Sequence, residues 1–589
     1  MESFKHLIKG RNEFSSSAFQ IFLLATAIKL LLIPSYRSTD FEVHRNWLAI
    51  THNLPHEKWY FEDTSIWTLD YPPFFAWFEY FISLFAQKFD PSILTIQSTP
   101  LETQNTILFQ RLSVIVADLV FYLGVYMYCC TWPKTTTVEI SSSTYKKEIV
   151  FSFCILCPAL FMVDHIHFQY NGFLMGIYLI SISLIRQNRD LLSAVVFSCL
   201  LNFKHIFMYQ APVYFCYLLL HYCYVSKDIE DPQLFEDEIP DTRRPSEIER
   251  TMYVQESKRI FSVKRFLALA SVVIITFFIS FYPFLMPSSQ PRSLLTLTTN
   301  LKQLYSRLFP FKRGLIHTYW APNIWALYTF LDNILTFICS LFCKYTGTFC
   351  SVPHTFVGTS GVTGDIVYNI LPNIPSWLTF LLTLLFIFPC LIPIFMHPHP
   401  RLFVNSLITC SFVSFLFGWH VHEKALLTIL IPITIICCDT ASDARLFIVF
   451  STITNFALFP LLFKPQEQIT ALLFTVIYYY SARLTLDDFH KNAQKARRIV
   501  QEGVKLSLFD YIILNSILGL YLYNTFIHPL LFGNRYPFIP LMLTSVLCSV
   551  GVIYCFFLSL ISSYKKHDVV HSYLDTPVST DTSEMESEG

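Results

Sequence analysis

Ionisable and amide side chains occur in five short clusters, each at the end of an apolar run of the chain. The clusters are residues 39–45, 164–171, 202–205, 307–314 and 420–424. Charged groups at membrane depth are costly and mark functional sites by default. We expect the five clusters to meet at one membrane face and to form one active site.

Two kinds of chemistry fit these residue types. Imidazole and carboxylate groups suit zinc or manganese, which points to four histidines: His165, His167, His420 and His422. His-x-His is a weak metal signal, because alternate side chains diverge unless the backbone is extended, and structural histidines are the favoured reading. The other chemistry is a carboxylate base, with Asp40 and Glu42 as candidates, facing a basic pocket. Arginine and lysine would hold a phosphate there, and the basic residues available are Lys204, Arg307, Arg313, His422 and Lys424.

The composition predicts how these clusters are positioned. The 589 residues are 53% hydrophobic and only 14% charged, whereas a soluble protein is about 25% charged. Such a chain is an all-α polytopic membrane protein, and soluble enzymes, disordered proteins and secreted disulfide scaffolds are excluded. Basic and acidic residues balance at 42 each, so net charge offers no argument for a nucleic-acid partner.

Fifteen apolar runs are candidates for membrane helices, and the basic residues of the loops fit fourteen crossings. We expect the run 322–343, which carries Asp332, not to cross fully. The predicted parts are a cytoplasmic N-terminus (1–17), a first transmembrane helix (18–36), a first lumenal loop (37–108), membrane helices with a cytoplasmic loop at 226–264 (109–286), a lumenal region (287–376), C-terminal helices (377–563) and a disordered cytoplasmic tail (564–589).

The first lumenal loop is too rich in aromatic residues to be a linker. It contains Trp47, Trp59, Trp67 and Trp77, and an apolar stretch follows Pro72-Pro73. That stretch is short for a membrane span and suits a helix lying in the membrane interface. Farther along the chain, Cys343 and Cys350 flank a loop whose side of the membrane the sequence leaves open. The two cysteines could form a disulfide if this loop is lumenal.

Several motifs resemble those of the endoplasmic-reticulum glucosyltransferases that use dolichyl-phosphate glucose. They are Phe41-Glu42 with Arg45 and Trp47, residues 67–73 (WTLDYPP), Asp164-His165 with 167–171 (HFQYN), 307–310 (RLFP), 313–315 (RGL) and 421–424 (VHEK). The resemblance runs in order from about residue 30 to 480. It implies a GT-C fold with interfacial helices in the first lumenal loop.

The resemblance also implies a reaction. Glucose would move from dolichyl-phosphate glucose to the terminal glucose of a monoglucosylated dolichyl-pyrophosphate-linked oligosaccharide, with an α-1,3 bond and inversion at the anomeric carbon. The site would face the lumen of the endoplasmic reticulum, within its membrane lipid, and no metal or other cofactor is expected. The alternatives are the sibling transferase that adds the first glucose and a secondary transporter. The oligomeric state is open.

Roles for single residues follow from the same resemblance. Asp40 matches the first acidic position of the opening lumenal loop and is the expected general base, with Glu42 as second choice. His422 and Lys424 are expected at the donor phosphate, with contributions from Arg307 and Arg313. The expected substrate-binding residues are Asp164, His165, His167, Gln169, Lys204, Trp67, Asp70 and Tyr71. For the aromatic residues of this set, anchoring at the membrane interface is the alternative role.

Overall fold

Helices make up nearly all of the regular structure. The computed structural model describes residues 2–132, 139–226, 259–287, 289, 291, 293–309, 314–317, 320–346, 357–358, 367–496, 503–533 and 535–575. The helices in the first half are α1 Glu2–Leu31, α2 Thr39–Asn53, α3 Pro73–Phe89, α4 Gln104–Ala117, α5 Leu119–Cys130, α6 Glu139–Ile155, α7 Pro158–Leu160, α8 Asn171–Arg186, α9 Asp190–Phe203, α10 Ala211–Tyr222 and α11 Val263–Leu285. Those in the second half are α12 Leu294–Leu308, α13 Ile324–Thr346, α14 Ser376–Met396, α15 Pro400–Phe417, α16 Leu427–Ile436, α17 Ala441–Ala457, α18 Pro465–Ala496, α19 Leu508–Leu522, α20 His528–Phe532 and α21 Ile539–Asp575.

Shorter elements connect the helices. A π-helix covers Phe161–Phe168, and short 3₁₀ helices include His205–Gln210 and Glu423–Leu426. Strands β1 (Tyr224–Ser226) and β2 (Arg259–Phe261) pair antiparallel, with Val225 opposite Ile260. They lie at the two ends of the predicted cytoplasmic loop 226–264, of which residues 227–258 lie outside the described part.

Ten helices in the described part of the chain are long and apolar enough to cross a membrane. Two shorter apolar helices, α8 and α9, accompany them. The predicted polytopic, all-helical class is confirmed, whereas the count of fourteen crossings is not. The run 322–343, expected not to cross fully, belongs to α13, an uninterrupted helix of 23 residues with sufficient length to span.

Buried Asp332 in α13 is hydrogen-bonded to the segment that precedes α14. Its carboxylate accepts hydrogen bonds from the backbone N–H groups of Ile370 and Leu371 at 2.9 and 2.8 Å. A satisfied carboxylate does not prevent a helix from continuing. The same helix carries Cys343, which is disulfide-bonded; the partner considered above, Cys350, lies outside the described residues.

Helices α5 and α8 approach each other closely because glycines face each other across the contact. A Cβ atom added at Gly124 would lie 2.5 Å from the carbonyl oxygen of Gly176. One added at Gly176 would lie 2.4 Å from the backbone of Val120. Small residues at such contacts let helix backbones pack closely in a membrane. This contact positions the start of α8, where Asn171, the last residue of the second polar cluster, lies.

The first loop folds into a compact layer around α2 and α3. The apolar stretch after Pro72-Pro73 forms α3, with Pro73 in its first turn, where a missing N–H costs nothing. One side of α3 buries Phe75, and the other exposes Phe81 and Phe85 to 58% and 55%. An exposed apolar stripe on a short helix agrees with the interfacial position expected from the sequence.

Both ends of the chain differ from the predicted boundaries. Helix α1 begins at Glu2 rather than at residue 18, and its membrane-length part is Phe14–Leu31. At the other end, α21 continues to Asp575, so the tail expected to be disordered from residue 564 is helical for its first turns. Lys566 anchors these turns, because its Nζ donates to Asn405 and lies 2.8 Å from a carboxylate oxygen of Asp443. Residues 576–589 lie outside the described part.

Candidate functional site

Asp40 lies in the first turn of α2 and is the point at which three of the clusters meet. Its Oδ2 atom accepts hydrogen bonds from Lys424 Nζ and Gln169 Nε2, both at 2.6 Å. His167 Nε2 lies 3.2 Å from the same oxygen. Asp40 and Lys424 are 384 positions apart in the chain. The expectation that distant clusters converge is therefore correct for these residues.

The two oxygens of Asp40 have different surroundings. All three donors bind Oδ2, and within the described residues no hydrogen bond reaches Oδ1. Burial opposes ionisation of the Asp40 carboxyl, but the positive charge of Lys424 and the hydrogen bond from His167 hold its pKa well below the ordinary value. Asp40 is thus an ionised carboxylate with one oxygen fixed and the other available to a substrate hydroxyl.

The π-helix and the bend after it bring His167 and Gln169 to Asp40. The segment Phe161–Phe168 has the wide turn of a π-helix, a geometry that often marks functional sites. Phe168 then has φ of 90°, a value that costs strain for a bulky residue. Its ring is buried against Phe41 and His44 at centroid distances of 5.1 and 5.5 Å, which holds this bend in place.

A chain of hydrogen bonds with one direction leads from Lys204 to Asp40. Lys204 Nζ donates to Asn171 Oδ1 at 3.2 Å, and Asn171 Nδ2 donates to Gln169 Oε1 at 2.7 Å. Gln169 Nε2 then donates to Asp40. Asn171 Nδ2 also donates to Asp164 Oδ1 at 2.9 Å, so both of its amide hydrogens are used. Each amide orientation is fixed by its neighbours, and Gln169 can only present its N–H to the carboxylate.

Lys204 brings a second positive charge to the site. Its ammonium group lies 5.0 Å from the centre of the Tyr71 ring, within the range of a cation–π contact. Burial, together with the positive charge of Lys424, lowers the pKa of Lys204 to about 8. Two lysines that repel each other near one carboxylate make a positively charged region in which an anion would relieve the repulsion.

Glu42 has a different position from Asp40, although it is only two residues away. Its Oε1 accepts from Arg45 Nε and Nη2 at 2.8 and 2.6 Å, and its Oε2 accepts from the backbone N–H of Leu101 at 3.1 Å. Arg45 continues to the carbonyl oxygens of Ile93 and Thr95. Both oxygens of Glu42 are therefore occupied by bonds that stabilise the first loop. Glu42, the second choice for the base, belongs to a structural ion pair with Arg45.

His165 lies away from Asp40. Its Nε2 is 2.7 Å from Asp118 Oδ2, which also accepts from Lys29 Nζ at 2.7 Å. This group joins α1, the α4–α5 junction and the π-helix inside the bundle. The sequence reasoning missed Lys29 and Asp118, although a lysine in the first apolar helix was a usable signal.

The remaining predicted residues divide into two groups. Tyr71 lies beside Lys204, and Asp70 is close enough for its charge to raise the pKa of Lys204. Trp67 and Arg307 instead take part in bonds of the first-loop backbone: the carbonyl oxygen of Trp67 accepts from Asn46 Nδ2, and Arg307 Nε donates to the carbonyl oxygen of Tyr60 at 3.1 Å. Arg313 lies outside the described residues.

Three histidines gather next to Lys424. His420 and His422 come from the fifth cluster, and the third, His317, follows the fourth cluster and was missed by the sequence reasoning. The rings of His317 and His422 have centroids 4.0 Å apart. Burial lowers the pKa of His422 well below its ordinary value, and the neighbouring His317 and Lys424 lower it further. His422 is thus a neutral imidazole beside a lysine.

Taken together, the site offers an ionised carboxylate with one available oxygen, two lysines and a neutral imidazole. An anion held by the lysines would lie beside the carboxylate. This arrangement suits displacement of a phosphate leaving group by a hydroxyl that the carboxylate deprotonates.

Comparison with known proteins agrees with this chemistry. Residues 25–559 match the model of the ALG6, ALG8 glycosyltransferase family. The chain belongs to this family. The predicted enzyme class, a glycosyltransferase, and the predicted GT-C fold are therefore confirmed.

Individual relatives cover almost the whole chain. A protein of Mus musculus is 39% identical over 576 residues, 95% of this chain and 98% of its own length. One of Bos taurus is 40% identical over 94% of this chain and 96% of its own, and one of Arabidopsis thaliana is 39% identical over 90% and 95%. Each is named dolichyl pyrophosphate Glc1Man9GlcNAc2 alpha-1,3-glucosyltransferase.

Proposed function

We propose that this family member transfers glucose from dolichyl-phosphate glucose to the terminal glucose of a monoglucosylated dolichyl-pyrophosphate-linked oligosaccharide, forming an α-1,3 bond. The shared name of relatives that are 39–40% identical over at least nine-tenths of the chain supports the acceptor. The observation that carries the reaction type is the Asp40 carboxylate with Lys424 and Gln169 on one oxygen.

The donor binds through its phosphate in the pocket of Lys204 and Lys424. The depressed pKa of Lys204 supports this placement, because burial and a neighbouring cation leave its charge poorly compensated. His422, as a neutral ring next to Lys424, donates an N–H to the same phosphate. Arg307 and Arg313 are further contributors, although Arg307 contacts the first-loop backbone before any substrate is bound.

The transfer is a single in-line displacement. The acceptor hydroxyl oxygen forms a bond to the anomeric carbon of glucose while the bond from that carbon to the phosphate oxygen breaks. The electron pair of the broken bond stays on dolichyl phosphate, where the lysines stabilise it, and the hydroxyl proton passes to Asp40 Oδ1. One displacement inverts the anomeric centre and needs no covalent glycosyl-enzyme. This step itself requires no metal ion or cofactor.

The other predicted substrate residues act at two places. Asp70 and Tyr71 lie near Lys204, and we assign them, with Trp67 of the same loop, to the transferred sugar. Asp164, Gln169 and His167 contact the base or its supporting amides, so they shape the sugar site mainly by holding Asp40. His165 is held by Asp118, and a direct contact with substrate remains a prediction.

The cellular setting follows from the family. We propose that the protein resides in the membrane of the endoplasmic reticulum and that α2 and α3 face the lumen. The basic residues near the ends of the apolar runs support this orientation. No nucleic-acid partner is proposed.

The test is a transfer assay with purified protein in detergent and dolichyl-phosphate glucose. Two lipid-linked acceptors are offered, one without glucose and one with a single glucose. We expect transfer to the monoglucosylated acceptor only. Transfer to the unglucosylated acceptor would make the protein the sibling transferase, and transfer to neither by folded protein would contradict the proposal.

A further inference from the structure

The three histidines beside Lys424 form a compact set of nitrogen donors. One ring nitrogen from each of His317, His420 and His422 lies within 4.8 Å of the other two. Imidazole nitrogens bind zinc at about 2.0–2.1 Å, and three histidines are an established ligand set for that ion. A modest approach of the three rings would therefore let them share one metal ion. His165 and His167 are excluded from this set because they contact Asp118 and Asp40 instead.

The second ring nitrogen of His420 has an acceptor that fixes its tautomer. Its Nδ1 lies 3.0 Å from the carbonyl oxygen of Gly314, so this nitrogen carries the proton and donates it. In a neutral ring the lone pair is then on Nε2. A backbone carbonyl behind an imidazole is a common second partner of metal-ligating histidines.

His317 has a carboxylate behind it. Its Nδ1 lies 3.6 Å from Glu423 Oε2. Glu423 is only 2% exposed, and within the described residues His317 is the side chain that its carboxylate pairs with, at a distance longer than a normal hydrogen bond. A buried carboxylate with so weak a hydrogen bond is costly. A metal ion on the other nitrogen of His317 would strengthen the Nδ1–H as a donor to this carboxylate.

The backbone around His420 is arranged so that both histidines of the His-x-His sequence face His317. His420 has φ of +50°, an uncommon value for a residue with a side chain. Its backbone N–H donates to the carbonyl oxygen of Leu315 at 3.1 Å. The backbone at His420 is therefore strained. Its hydrogen bond connects the loop of residues 314–317 to the loop before α16, and the three rings are close together as a result.

We propose that His317, His420 and His422 bind one divalent transition-metal ion with the ligand preferences of zinc. Glu423 and the Gly314 carbonyl orient two of the rings from behind. The ion is not a reactant in the displacement. It adds positive charge next to Lys424 and binds one nitrogen of His422, so that the N–H on the other nitrogen is directed to the donor phosphate. Its effect on donor binding rests on the function proposed above, whereas its presence does not.

The test of occupancy measures metal directly. The full-length protein is purified without chelator, equilibrated with zinc, freed of excess ion and analysed by mass spectrometry for metal per chain. We expect about one zinc per chain, and a zinc absorption-edge spectrum with imidazole scattering. The variants His317→Gln and His420→Gln should lose the ion. His52→Gln is the matched control, because His52 contacts Ser83 and lies outside the trio.

The other possible results test the metal site and the transferase proposal independently. If the wild type holds no more zinc than the His317→Gln and His420→Gln variants, and zinc does not raise its melting temperature, the inference is wrong and the transferase proposal stands. If zinc is bound, removing it with a chelator should raise the KM for dolichyl-phosphate glucose several-fold. Transfer itself should persist, because Lys204 and Lys424 remain. An unchanged KM would overturn the assigned effect on donor binding.

Discussion

Asp40 and Glu42 are two carboxylates of one helix turn with opposite environments. Asp40 holds three donors on a single oxygen, whereas both oxygens of Glu42 are used by Arg45 and Leu101. A general base needs an oxygen that a substrate hydroxyl can reach. Asp40 is therefore assigned as the general base, whereas Glu42 stabilises the fold of the first loop.

We expect Asp40→Asn to leave the protein folded and to lower the rate of glucose transfer by roughly 10²–10⁴-fold, the usual contribution of a general base. The amide has the shape of the carboxylate but cannot take the hydroxyl proton. Glu42→Gln is the matched variant: it weakens the bond to buried Arg45 and should lower the melting temperature instead. The assay measures kcat and thermal unfolding for both. Activity of Asp40→Asn within a few-fold of wild type would rule out Asp40 as the base.

The charge of Lys204 sets an upper pH limit for use of the lipid donor. Because burial lowers its pKa to about 8, a rise in pH through that value removes its positive charge before substrate binds. The kcat/KM for the lipid donor reports groups of the free enzyme, so we expect it to fall as pH rises through about 8. In Lys204→Arg the guanidinium stays charged, and this alkaline decline should disappear. A decline that is the same in both proteins would assign it to another group.

Asp40 and Lys424 were predictable because each lies in a cluster of ionisable residues at the end of an apolar run, and because the motifs there resemble those of a known family. Gln169 was assigned to substrate, yet its amide binds Asp40, and His317 was not singled out at all. Their positions depend on a π-helix and on residues with positive φ, Phe168 and His420. These local distortions follow from tertiary packing, and neither residue type nor hydrophobic periodicity signals them.

At the scale of helices, the α5–α8 contact decides where the second cluster stands, because Asn171 and Gly172 begin α8. Gly172 itself donates its N–H to Asp164 Oδ2 at 2.6 Å. The membrane segments were predictable from apolar runs. The close approach of α5 and α8 was not, since glycine in an apolar run does not reveal its neighbour.

We expect Gly124→Ala to destabilise the protein by about 1–3 kcal/mol, the usual cost of forcing extra volume into a packed contact. The added Cβ would lie 2.5 Å from the carbonyl of Gly176 and would push α5 from α8. Gly519→Ala in α19 is the control, because nothing lies within 4 Å of a Cβ there. It should be neutral or slightly stabilising. Equal melting temperatures for the two variants in detergent would contradict the packing argument.

At the scale of the whole molecule, the proposed orientation places the α2–α3 layer in the lumen and the turn before α17 in the cytoplasm. The sequence has no Asn-x-Ser/Thr glycosylation site, so a single introduced site reports one loop. Glu62→Asn creates Asn-Asp-Thr in the first loop, and Thr440→Asn creates Asn-Ala-Ser at the N-cap of α17, where asparagine is also a good cap.

We expect the Glu62→Asn protein, expressed in cells, to gain one glycan that a glycosidase removes, since the first loop would face the lumenal glycosylation machinery. The Thr440→Asn protein should stay unmodified. Asp439, beside that site, pairs with Lys146 at 2.6 Å, which links the two loops predicted to share the cytoplasmic side. A glycan on the Thr440→Asn variant would reverse the orientation. The base Asp40 would then face the cytoplasm, and a lumenal acceptor would be excluded.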